Sequence, residues 1–75
     1  MPILQRFPAS RILLYADDHL HPHVHVKLRD GRECTVDINS LNIQGRIAVR
    51  EIREELDWID ANGAFLLDEW RRYNP

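Results

Sequence analysis

All four histidines of the chain, His19, His21, His23 and His25, occupy alternate positions within one stretch of seven residues. Imidazole titrates near neutrality and is the commonest nitrogen ligand for metals, so this concentration defines a candidate site. Three kinds of chemistry suit it. A His-x-His pair on a strand presents two nitrogens on one face, and a third ligand from His19, Asp18 or Asp37 would complete a site for zinc, nickel or copper. Alternatively, a carboxylate such as Asp37 could fix the tautomer of His25 while His23 exchanges protons with a substrate. Paired histidines of that kind cleave phosphodiesters, and Lys27 and Arg29 would steady the phosphate charge. In the third reading Asp18 and His19 cap a turn and Pro22 sets an extended path into the strand. His23 and His25 are then half-exposed strand residues on a protein-binding surface. This surface reading is preferred, because His, Lys and Arg on a solvated sheet face are common.

The elements that must position these residues speak in two periods. Residues 3–7 and 11–16 are short apolar runs with β-branched and aromatic residues, separated by Pro8, Ala9 and Ser10. Residues 23–29 alternate as His-Val-His-Val-Lys-Leu-Arg and residues 33–38 as Glu-Cys-Thr-Val-Asp-Ile, with Asp30-Gly31 supplying turn residues between them. A two-residue loop at Asp30-Gly31 would mix polar and apolar side chains on both faces and oppose Arg29 to Arg32. A three-residue loop over 30–32 sorts them. It puts Val24, Val26 and Leu28 with Cys34, Val36 and Ile38, and His23, His25, Lys27 and Arg29 with Glu33, Thr35 and Asp37. In that register Arg29 opposes Glu33 and His25 opposes Asp37.

Residues 39–45 read as a loop, with Leu41 and Ile43 tucked onto the core. Val49, Ile52, Leu56 and Ile59 then recur at spacings of three and four, which predicts an amphipathic helix over about 47–60. Asn62-Gly63 ends it, and a second helix over about 64–73 offers Leu66, Leu67, Trp70 and Tyr73. Trp58 flanks the first helix's stripe, Glu51, Glu54 and Glu55 make a solvated charged surface with Arg50 and Arg53, and Arg71-Arg72 suit the second helix's C-terminal dipole. Cys34 is a small core residue. The expected fold is α+β: an antiparallel sheet of three to four strands, within residues 2–38, followed by two helices packed on one face.

Composition narrows the function classes. At 75 residues the chain is read as one domain, whose size allows only about 60% of its unfolded surface to be buried. A bound ion, a second copy or a partner protein would help such a thin core. The net charge of −2 does not announce a polyanionic partner, although nucleic-acid binding stays open. No stretch reaches the length of a membrane span and the N-terminus lacks a signal-peptide pattern; with one cysteine and no possible internal disulfide, the chain reads as cytoplasmic.

Pro2-Ile3, Phe7, Ile12, Tyr15, Asp18-His19, Pro22-His23-Val24-His25, Asp37-Ile38, Gly45 and the helices bearing Trp58 and Trp70 resemble a small prokaryotic family, domain of unknown function 4160. Its typical centre reads Asp-His-x-Pro-Pro-His-x-His. His21 stands where the family usually has proline, which marks it as the least shared of the four histidines, and Ile47 also stands at a frequent proline. Members are small bacterial proteins, often encoded beside a second small domain in pairs suspected to be toxin–antitoxin modules. The resemblance therefore implies an interaction protein with a small protein partner encoded nearby, acting through its histidine face. A homodimer is also compatible. The alternative is a metal-dependent or histidine-based nuclease, an RNA-cleaving toxin, with His23, His25 and Asp37 catalytic or His19, His23 and His25 on zinc or nickel.

Overall fold

The structure is a computed structural model that describes residues 3–15 and 21–75. Asp18 and His19, both named above as possible ligands, lie outside the described residues. Five antiparallel strands follow in chain order across one sheet: β1 (Ile3–Phe7), β2 (Ser10–Leu13), β3 (His23–Leu28), β4 (Glu33–Asp37) and β5 (Ile43–Gln44). Two helices come after them, α1 (Arg53–Ala61) and α2 (Gly63–Tyr73). The α+β order is as expected, but the sheet has five strands rather than three to four. The additional strand is β5, only two residues long and set in a segment whose Asn, Ser and Gly content reads as loop. Asp37 makes the return possible: its Oδ1 accepts the N–H groups of Asn39 at 2.8 Å and Ser40 at 2.9 Å, and Leu41 takes a φ of 64°. The chain then lays Ile43 against Val36.

The central hairpin keeps the expected parity and corrects its register. His23 opposes Asp37, His25 opposes Thr35, Val26 opposes Cys34 and Lys27 opposes Glu33. His25 therefore does not face Asp37, and Arg29 does not face Glu33. The loop is Arg29-Asp30-Gly31, not 30–32, because it places Gly31 at the third position, where φ is 98° and a side chain would be strained. Leu28 N–H donates to the Arg32 carbonyl at 2.8 Å and Gly31 N–H to the Leu28 carbonyl at 3.1 Å, which closes the turn.

One face of the sheet carries the core. Ile12, Leu14, Val24, Val26, Cys34, Val36 and Ile38 pack against Ile47, Ile52, Ile59, Leu66 and Trp70 from the chain that follows. Leu41, Ile43, Leu56, Trp58, Leu67 and Tyr73 flank this cluster, each in the core or at its edge as expected above. The first helix departs from expectation in two ways. It starts at Arg53, after a short 3-10 turn over Val49–Glu51, and Val49 is 52% exposed. Glu55, expected on the solvated surface, is buried and accepts a hydrogen bond from the Ser10 hydroxyl of β2. It sits three residues after Ile52 and four before Ile59, so the helix period turns it inward, and Ser10 makes that position tolerable.

Candidate functional site

Alternation along β3 sends Val24 and Val26 into the core and turns His23, His25 and Lys27 to the other face. The strand histidines are not equivalent there. His23 is only 7% exposed, its Nδ1 lies 2.6 Å from the His21 carbonyl, and its ring centroid is 5.1 Å from that of Trp70 on α2. Asn74, just past α2, donates from Nδ2 to the Tyr15 carbonyl at 3.2 Å. The end of α2 is thus tied to the end of β2 and the start of β3.

His25 meets a different carboxylate from the one expected. Its Nδ1 lies 2.9 Å from Glu33 Oε2, its ring stands edge-on to Tyr15 at a centroid distance of 4.1 Å, and the Tyr15 hydroxyl donates weakly to the same Glu33 oxygen at 3.4 Å. Burial, and then the Glu33 charge, raise the Tyr15 phenol above its ordinary value. Glu33 reaches His25 diagonally across the hairpin while its direct neighbour is Lys27, and diagonal partners fall within reach of long side chains. Nε2 of His25 is buried. Nδ1 is thus the ring nitrogen that the carboxylate holds.

Asp37 likewise has structural work. The Ser40 backbone N–H, followed by that of Asn39, holds its carboxyl below the usual range, with a smaller contribution from His21. It still borders an open groove of about 290 Å³ with His21, His23, Thr35, Asn42 and Gln44. His21, the least shared of the four histidines, is exposed and lines this groove. Its neighbours Asn42 and Gln44 were hidden in a segment read as loop. Pairing of Gln44 with Thr35 across β4 and β5 is what brings them there.

Among the described residues no group of three or more His, Cys, Asp or Glu side chains could hold a metal ion. His23 and His25 are neighbours, with ring centroids 5.2 Å apart, but each is already engaged through Nδ1. His19 lies outside the described residues. Cys34 is buried on the core face, opposite the histidines, and burial pushes its thiol up to about 11. Lys27 and Arg29 do converge, not on the histidines but on a second groove at the β1–β2 end of the sheet, which Arg6 and Arg11 also line.

A family model described as a domain of unknown function (DUF4160) matches residues 10–71. No curated protein and no solved structure matches the chain. No described helix is long and apolar enough to cross a membrane.

Proposed function

The chain belongs to the DUF4160 family, and we propose that it is an interaction protein, one component of a two-protein, toxin–antitoxin-like module, which engages a small protein partner through its histidine face. The observation that carries this reading is the division of labour on that face. His23 and His25 are largely covered on that face and held by His21, Trp70, Glu33 and Tyr15, while the accessible polar groups of His21, Thr35, Asn42 and Gln44 line an open groove. Binding surfaces are built this way, with a rigid inner layer beneath adaptable polar contacts. Hydrolytic centres need accessible, activated groups at the mouth of a pocket.

The test is co-expression of the full chain with the protein encoded beside it, followed by size-exclusion chromatography. A stable complex is expected, weakened at least tenfold by His21→Glu combined with Gln44→Ala in a chain that melts as the parent does. Absence of a complex overturns the reading. Growth arrest by the chain alone, relieved by His23→Ala at unchanged expression, would favour the RNA-cleaving alternative instead. Stoichiometric zinc or nickel in protein purified without a histidine tag would favour its metal-dependent form.

A further inference from the structure

The row of residues that crosses the sheet at the β1–β2 end is cationic on three successive strands. Arg6 of β1 opposes Arg11 of β2, and Arg11 opposes Lys27 of β3, so all three side chains stand on the histidine face. Arg29, exposed in the adjoining turn, borders the same groove of about 270 Å³, together with Pro8 and Ala9. No acidic residue lines it. Like charges directly opposite one another on neighbouring strands destabilise a sheet, and here the arrangement occurs twice in succession. Relief is limited to one carboxylate: Glu33 of β4 stands directly opposite Lys27 but turns its Oε2 to His25. Among the described residues none of the four cations forms an ion pair, and Arg11 Nε is buried without a hydrogen-bond partner. A folded domain with a net charge of −2 has carboxylates to spare for neutralising such a row, and it spends them elsewhere: Arg32 holds both Asp30 and Glu51.

We propose that this row is a phosphate-backbone contact for single-stranded nucleic acid. Strands lie about 4.8 Å apart, so the three cations span about 10 Å, the reach of two or three successive phosphates along an extended strand. Three of the four cations are arginines, whose planar fork grips phosphate oxygens two at a time. The groove of His21, Thr35, Asn42 and Gln44 lies farther along the same face, toward the start of β3. That groove, which Asp37 also borders, is the surface assigned above to the protein partner, so the nucleic-acid site is the cationic row alone. The site is too short to follow a duplex groove, and it carries no element that could enter one. An acidic protein segment shares the charge but not the regular phosphate spacing, and competition by polyglutamate distinguishes the two.

The measurement is fluorescence anisotropy of the full chain with labelled 12-nucleotide single-stranded RNA and DNA and with the corresponding duplex, at 50 and 200 mM KCl. Contacts to two or three phosphates predict about a 7- to 18-fold loss of single-strand affinity between those salt concentrations. Lys27→Gln and Arg11→Gln should each lower affinity about five- to tenfold at 50 mM salt without lowering the melting temperature, since each also relieves repulsion within the row. Arg72→Gln, at the far end of α2, should change nothing. A preference for RNA over DNA, or the reverse, identifies the strand bound. Failure to bind either single strand at 50 mM KCl overturns the proposal. So does equal binding by the Arg6, Arg11 and Lys27 triple glutamine variant, or displacement of the strand by polyglutamate at matched charge. The groove's protein partner is tested separately, by complex formation, and stands or falls apart from this site.

Discussion

The Ser10 hydroxyl of β2 donates to the Glu55 carboxylate of α1 across 45 residues of chain, and both side chains are buried. This is a polar joint between sheet and helix layer. Removal of the donor leaves a buried carboxylate short of a partner, and the cost of such a group is about 1–3 kcal/mol. Ser10→Ala should therefore lower the urea midpoint and the melting temperature, the latter by about 4–8 °C for each kcal/mol in a domain of this size. Replacement of both partners together, Ser10→Ala with Glu55→Leu, should recover most of the loss, because a buried polar pair exchanged for apolar groups is close to neutral. A double variant no more stable than Ser10→Ala alone would refute this account of the joint.

Asp37 sets the acid limit of the β4–β5 return. Its ionised carboxylate accepts two backbone N–H groups, which holds its folded value below the unfolded one. The folded state thus binds fewer protons, so the contribution is complete above the unfolded value near 4 and disappears as pH falls through the depressed folded value. Asp30, held by Arg32, and Glu51, held by the Ala48 N–H and Arg32, shift in the same direction and act in the same window. Urea midpoints should fall as pH drops below about 4. Asp37→Asn keeps an acceptor oxygen but cannot titrate, so its midpoint should fall less steeply over that range.

Much of this architecture is legible in the residues, and the parts that are not share a cause. Alternation from His23 to Leu28 and from Glu33 to Asp37 determines which residues share a face, because a strand's period of two leaves no other sorting that buries Val24, Val26, Cys34 and Val36. Register is a finer matter. It depended on Gly31 taking the left-handed third position of the turn, which slides Asp37 from His25 to His23 and leaves His25 to Glu33. The helix period does turn Glu55 inward with Ile52 and Ile59, but its charge reads as solvated, since the serine that satisfies it lies on another element. The cationic row has the same origin: Arg6, Arg11 and Lys27 are scattered in sequence and meet only when three strands align.

Gly45 tests how tightly the β5 return is seated on the sheet. Its φ is 141°, and a Cβ built there would lie 2.8 Å from Cys34 Cβ and 3.0 Å from Cys34 Cα. Both the backbone conformation and the close approach require glycine. Gly45→Ala should cost more than 1 kcal/mol, about the upper end of what a simple glycine conformational effect accounts for, since backbone must also move. Thermal melts are the measure. The partner variant Cys34→Ala opens room only at Cβ's substituent and should not rescue it; a full rescue would show that the clash is with the thiol and not with the backbone.

His21 and His23 offer the sharpest separation of surface from support. They stand two residues apart and border the same groove, but His21 is exposed while His23 is buried between the His21 carbonyl and the Trp70 ring. Truncation of His23 removes a hydrogen bond and leaves a gap beside Trp70, so His23→Ala should destabilise the chain by about 1–3 kcal/mol. His21→Ala keeps the backbone carbonyl that His23 uses and should leave stability within about 0.5 kcal/mol of the parent, as for other surface substitutions. Partner binding should respond to His21→Ala directly, whereas His23→Ala should weaken it only in proportion to the unfolded fraction. Equilibrium denaturation alongside a binding titration at 15 and 37 °C distinguishes the two. A His23→Ala chain that melts like the parent while binding nothing would instead make His23 the contacting residue and reverse these assignments.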